Sequence, residues 1–250
     1  VWTSEPDGRS HPGLAASYAA GVVRCDLRRG SAEIVDATVA RGLFTTSPSA
    51  TDLVAGQIRY TLHRLERAEP QQLPQAVLGP LTELEVRLAA SAREGADDDG
   101  DLLVVDGPLR GRERLPRSIG YIKTHRKQYL PPELAAVVAA VGPGQRSPVF
   151  RLGTNWTRFT WYLRLPGATG APWAGLVRAE CSAELPASAA VALADLSVVA
   201  LPRFASRAYK DPRAPQNLVP IAGLERRLRS LLGDATLLHR TLARAAATAR

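Results

Sequence analysis

Four consecutive apolar residues, Leu102-Leu103-Val104-Val105, run without interruption into Asp106-Gly107-Pro108. A continuous apolar run of this length suits a central strand buried on both faces, as in the parallel part of a helix-covered sheet. Such a strand constrains the chain to a layered fold. An acidic residue at the C-terminal end of the strand sits where open sheets place their chemistry. Asp106 suits a plain turn with Gly107 equally well, and the residues alone leave both readings open.

The segments around this run supply the rest of a sheet. SPVFRLG, RFTWYLRLP and WAGLVRAECSAE are rich in β-branched and aromatic residues with Gly and Pro breaks between them, which predicts a meander. RSIGYIKTHRKQYLPPEL predicts a strand over Ile119–Lys123, a basic loop, and a helix begun by Pro131-Pro132-Glu133. Near the start, residues 1–13 are turn-rich around Pro6-Asp7-Gly8. ASYAAGVVRCDL and AEIVDATVARGLF follow as a hairpin turning at Arg28-Arg29-Gly30-Ser31.

Helical periodicity is read over Leu53–Arg67 from Leu53, Ile58, Leu62 and Leu65, with a cap near Ser49 or Thr51. A second helix is expected over Leu81–Arg93, with Leu81, Leu84 and Leu88 on one face and Glu85 at its edge. ASAAVALADLSVVALPRF reads as a helix leading into 197–204, and the final part is helical with a stripe of Leu224, Leu228, Leu231 and Leu232. The order predicts a single α/β domain over 1–250, with a sheet of parallel and antiparallel pairs. The apolar runs are too short to cross a membrane.

The 32 Lys and Arg outnumber the 24 Asp and Glu, for a net charge of +8. Only Lys123, Lys127 and Lys210 are lysines, so the basicity is almost all arginine. Arginine forks pair with phosphate, which suits a polyanion partner. An Ala- and Arg-favouring codon bias gives the same composition, and charge alone does not separate the two. The chain contains no methionine and begins at Val1-Trp2 within what reads as structured sequence, so a longer parent protein is expected. Cys25 and Cys181 lie in strand-like segments without CxxC spacing. This argues against a zinc site and suits two buried thiols in a reducing cytoplasm.

Several chemistries lack their motifs. There is no GxSxG, no phosphate loop, no GxGxxG and no HExxH. The tract Gly95–Asp101 is acidic, but a charge run in a loop is usually only solvated. The remaining option is hard-metal phosphodiester chemistry, in which carboxylates hold divalent ions that activate water and stabilise the leaving oxygen. Asp106 is the best candidate carboxylate; Glu85 and Glu83, on the preceding helix, are the best partners. A helix Glu is also commonly a plain surface residue.

The strand ending LLVVDGPL, the Gly-x-x-Lys strand SIGYIK, the strands carrying TWYLRL and LVRAE, the upstream Leu-Glu helix and the early hairpin together resemble the NurA nuclease family over most of the chain. The resemblance implies an RNase H-like mixed sheet flanked by helices, with manganese (or magnesium) used to cut DNA. It implies a homodimer acting with a hexameric HerA-type ATPase on single strands or duplex ends, in repair or phage defence. It assigns metal binding to Asp106 and to Glu85, or failing that Glu83. The family's first Asp-Gly strand has no counterpart here and is expected upstream of Val1. The family's late His is also missing from the stretch 209–218. Asp211 or Asn217 can supply an oxygen ligand in its place, while a turn at Asp211-Pro212 and a helix cap at Asn217 are equally compatible.

DNA contacts are expected from Lys123, His125, Arg126 and Lys127 after one strand, and from Arg110, Arg112 and Arg114 after Asp106. Arg151, Arg158 and Arg164 interleave with Trp156, Phe159, Trp161 and Tyr162, which suits either a single-strand channel or the ordinary alternation of a half-buried strand. A different class of function remains alongside the nuclease: a non-catalytic RNase H-like adaptor that binds DNA or an ATPase.

Overall fold

The computed structural model describes residues 2–4, 10–94, 100–125, 129–153, 156–167, 170–207, 209 and 214–248. The protein is a mixed α/β chain. Its contacts divide it into two compact units, Val1–Val22 with Ile34–Leu88 and Leu224–Arg250, and Val23–Glu33 with Ala89–Gly223.

One sheet holds strands β1 (Trp2–Ser4), β2 (Ser10–Asp26), β3 (Ser31–Thr45), β4 (Leu53–Ala55) and β5 (Ile58–Arg64), in the order β1-β2-β3-β5-β4, all of it in the first unit except residues 23–33 at the tip of β2 and β3. The expected hairpin is present as β2 and β3. Asp26 shapes its turn by accepting the amides of Arg28 and Arg29 at 2.8 and 3.0 Å, and Gly30 takes the left-handed conformation. Ser10–Gly13 belong to β2 rather than to a turn, and Pro6-Asp7-Gly8 lies outside the described residues.

The helix expected over Leu53–Arg67 is not formed. β4 and β5 pair antiparallel around Gly56, whose φ of +64° a helix would not allow. Nor do Ser49 and Thr51 cap a helix. Instead Asp52 clips the hairpin, accepting the Leu62 amide at 2.9 Å and the Arg59 guanidinium at 3.2 Å. Leu53, Ile58 and Leu62 pack with buried Leu43, Ala55 and Tyr60, so the apolar spacing that suggested a helix instead fills a sheet core. β5 also runs parallel to β3. Helix α1 (Leu73–Ala76) follows, then α2 (Leu78–Arg93), which starts one turn earlier than expected and buries Leu84 and Ala89. The C-terminal part breaks into α5 (Val219–Leu232) and α6 (Ala235–Thr248) at Gly233, which has φ +87°.

The second unit holds β6 (Leu103–Asp106), β7 (Ser118–Ile122), β8 (Phe150–Gly153), β9 (Thr157–Arg164) and β10 (Leu176–Ser182), in the order β6-β7-β10-β9-β8. β6 and β7 are parallel, and β10 runs antiparallel to both β7 and β9. The meander expected over the last three strands is therefore present, inserted beside the parallel pair.

Alternation along the strands sorts the two faces. Ile119, Tyr121, Trp161, Leu163, Val177, Ala179 and Cys181 form one core with Ala190, Leu193, Ala194 and Leu201, from α4 (Ala187–Ala200) and the 3₁₀ turn after it. The Trp161 indole donates to Ser197 Oγ at 3.0 Å and so registers helix on sheet. With that turn, α4 forms a segment, Ala187–Phe204, that is apolar and long enough by composition to span a bilayer, at mean hydropathy 1.5. Ser188, Asp195, Ser197 and Arg203 interrupt it, so its uninterrupted apolar runs are short, as expected. Part of this segment is committed to the sheet core. On the other face, α3 (Pro132–Ala139) covers Tyr162 and Leu176 through Val138. The remainder of that face carries charge.

Candidate functional site

β6 ends at Asp106, opposite Tyr121 of β7. Gly107, with φ +114°, then turns the chain back so that its amide bonds the Tyr121 carbonyl at 2.8 Å. The following loop lies directly on β7. A Cβ on Gly120 would stand 2.7 Å from the Leu109 nitrogen and 2.9 Å from the Gly107 oxygen, so this strand position accommodates only glycine without a shift. Arg112 is buried and donates to the Pro108 and Arg110 carbonyls, so it braces the loop from within. Arg110 and Arg114 are exposed.

Asp106, Gly107, Pro108, Tyr121, Lys123, Thr124, His125, Tyr129 and Arg178 are among the residues lining a pocket of about 410 Å³ at the C-terminal ends of β6 and β7. Lys123 Nζ donates to Asp106 Oδ2 at 2.9 Å; the two side chains are 20 % and 34 % exposed, so the pair meets solvent at the pocket edge. His125 Nε2 donates to the Leu176 carbonyl at 2.9 Å, which requires the proton on that nitrogen. Burial holds the His125 pKa below its usual range; the Leu176 bond opposes this and the nearby Arg178 charge adds to it. The same carbonyl accepts Gln216 Nε2 at 3.0 Å, while Tyr121 donates its hydroxyl to the Gln216 carbonyl at 2.7 Å. The segment around Gln216 is thereby laid beside the pocket. Burial, then the charge of Asp106, pushes the Tyr121 hydroxyl pKa far up, so it remains a neutral donor.

Beneath the pocket lies a group that the sequence reading did not single out. Glu180, 1 % exposed, places Oε2 2.9 Å from Arg158 Nε and 2.8 Å from a terminal nitrogen of Arg178. Its Oε1 accepts the Leu109 amide at 3.0 Å. The Arg178 guanidinium also reaches Thr160 Oγ1 at 3.3 Å, and that hydroxyl donates to the Ala179 carbonyl at 2.6 Å. Tyr129 lies against both guanidiniums, at 5.5 Å from Arg158 and 5.1 Å from Arg178, and Trp156 lies 4.9 Å from Arg158. In the sequence, the signal was a Glu two positions after an Arg inside an otherwise apolar strand. On one face of a buried strand, such a pair is an ion pair.

The other expected residues distribute as follows. Glu85 is half-buried on the part of α2 belonging to the first unit, whereas Asp106 belongs to the second. Glu83 is exposed and, with Arg87, acts electrostatically on Tyr18 in the first unit. Arg126, Lys127 and Asp211 lie outside the described residues. Asn217 is half-buried, and its carbonyl accepts the Ser206 amide at 3.0 Å. Within the third arginine cluster, Arg151 is exposed, Arg158 pairs with Glu180, and Arg164 donates to the carbonyls of Val141, Ala139, Pro172 and Ala174. Arg164 thus serves the fold. In the acidic tract, Asp101 makes a two-pronged pair with Arg93 at 2.6 and 2.7 Å. Cys181 is buried and Cys25 only half-buried, and both are free thiols.

A hard divalent ion needs several oxygen donors. Asp106 offers one carboxylate, already engaged by Lys123, and both Glu180 oxygens are bonded to protein groups. Among the described residues, no three His, Cys, Asp or Glu side chains gather into a group that could hold a metal. The described pocket alone therefore does not fit a manganese or magnesium ion. It does present cationic and aromatic groups around a single carboxylate. Neither the known protein-family models nor the curated proteins contain a match to this chain.

Proposed function

We propose that the protein is a DNA-acting nuclease of the NurA type, with phosphodiester recognition in the second unit. The observation that carries this reading is the Asp106–Lys123 pair at the end of a parallel strand pair, opening into a pocket also lined by Arg178, His125 and Tyr129. Ligands of open α/β sheets bind beyond the carboxyl ends of the strands, and a cation placed there suits a phosphate. Tyr129 and Arg178, both in the pocket lining, are the kinds of group on which single-stranded nucleic acid stacks and pairs its phosphates. In this reading the mixed sheet is an RNase H-like core. Asp106 is the carboxylate that the second unit brings to this chemistry, the use of Mn²⁺ or Mg²⁺ is part of the same proposal, and the protein works as a homodimer with a HerA-type translocase.

The incomplete donor set among the described residues favours a second reading: an adaptor that binds DNA without cutting it. One experiment separates the two. Wild-type protein and Asp106→Asn are assayed for cleavage of labelled DNA in manganese and for DNA affinity by fluorescence anisotropy. The nuclease reading expects cleavage that Asp106→Asn abolishes with affinity retained. Binding without cleavage by the wild type overturns it in favour of the adaptor, and cleavage undiminished in Asp106→Asn removes Asp106 from the chemistry.

A further inference from the structure

We infer that Glu180 is a positioning residue for the DNA-binding pocket, an inference that rests on the reading above. Its carboxylate does two things at once. Oε1 fixes the Leu109 amide, and with it the turn that carries Asp106. Oε2 holds the guanidinium of Arg178, which lines the pocket. The two elements that shape the pocket are thus tied to one buried group, and Gly120 removes the side chain that would separate them, since a Cβ there would also stand 3.1 Å from Glu180 Cγ. Arg178 is buried apart from the part of it that lines the pocket, and its bonds to Glu180 and Thr160 both leave from one terminal nitrogen, so the remaining N–H groups of its five are not used by these two partners. Held in place on one side, its fork is pre-organised for phosphate on the other.

The sign of one substitution distinguishes positioning from simple charge balance. Glu180 contributes one negative charge between two positive ones. Replacing it with Gln raises the local positive charge. If Glu180 served only to neutralise, Glu180→Gln would bind a polyanion more tightly. A positioning role requires the opposite, because Gln cannot accept from both the Leu109 amide and the two guanidiniums through paired anionic oxygens.

The experiment measures affinity for a labelled oligodeoxythymidylate across a salt series, with thermal unfolding of the same samples. For Glu180→Gln we expect affinity to fall on the order of tenfold, equivalent to about one charge-assisted hydrogen bond. Arg178→Lys keeps the charge and removes the fork, and in samples that the melts show to be folded its affinity should fall comparably. Tighter or unchanged binding by folded Glu180→Gln overturns the inference. Should that variant not fold, wild-type affinity in Arg178→Lys overturns it instead. Wild-type protein that does not bind the oligonucleotide removes the DNA reading itself, and the inference with it. Wild-type binding with an unaffected Glu180→Gln removes only the inference.

Discussion

Gly120 and Leu109 approach so closely that a β-carbon on the first would stand 2.7 Å from the backbone nitrogen of the second. The atom in the way is backbone, which cannot rotate aside. Gly120→Ala must therefore push the Asp106 loop off β7 and strain the Leu109–Glu180 bond. We expect a loss of about 1–3 kcal/mol of stability, read by urea unfolding, with oligonucleotide affinity falling in parallel. Retention of both would mean that the loop has room to move.

Lys123 and Asp106 form a pair that is partly open to solvent, so its contribution to stability is small. Lys123→Ala should change unfolding free energy by less than about 1 kcal/mol. It should weaken DNA binding and lower the slope of log affinity against log salt by about one, as for the removal of one phosphate contact. Titration at several salt concentrations checks this.

His125 gives a pH dependence of defined sign. Its folded-state pKa lies below the ordinary value of 6.5. As pH falls through 6.5, the unfolded chain takes up a proton that the folded protein does not. The unfolded state then binds more protons, so stability decreases with falling pH until the folded-state pKa is passed. The contribution is complete above 6.5 and lost below it. Thermal melts across the mildly acidic range should show this slope, and His125→Gln should flatten it.

Cys181 sits among the α4-side core residues with its thiol pKa pushed up to about 12, by burial first and by the Glu180 charge second. It should resist alkylation in the native protein at mildly alkaline pH and react only after denaturation, because the thiolate is the reactive form. Cys25, half-buried and raised by burial alone, should react first. Mass spectrometry after timed alkylation measures the order.

The sheet of the second unit was largely legible in the sequence. Leu102–Val105 reads correctly as a strand ending at Asp106, and Gly/Pro breaks separate the three strands of the meander, but the central position buried on both faces is not observed: β6 is the edge strand of its sheet and is only half-buried. The second helix was readable from Leu81, Leu84 and Leu88. The segment 53–67 was misread because Leu53, Ile58 and Leu62 satisfy a helical face and a half-buried hairpin alike. The arbiter was Gly56, whose positive φ ends one strand and begins the next. Glu180 escaped notice for a different reason. LVRAECS is buried at every position, and a sequence window shows a charged residue without showing what is opposite. Its partners Arg158 and Leu109 lie 22 and 71 positions away. Arg112 is a nucleic-acid candidate by charge and Arg164 by charge with interleaved aromatics, but both donate to backbone carbonyls.

One carboxylate receiving an amide and two guanidiniums also has a consequence for how the sequence can drift. Position 180 cannot change alone: an apolar substitute leaves two buried cations facing each other, and a cation is worse. Neither arginine can be lost alone without stranding part of the carboxylate's charge. Residues 158, 178 and 180 therefore form an epistatic unit, in which tolerated changes must arrive together. Any redesign of the pocket must treat these three positions as a single variable.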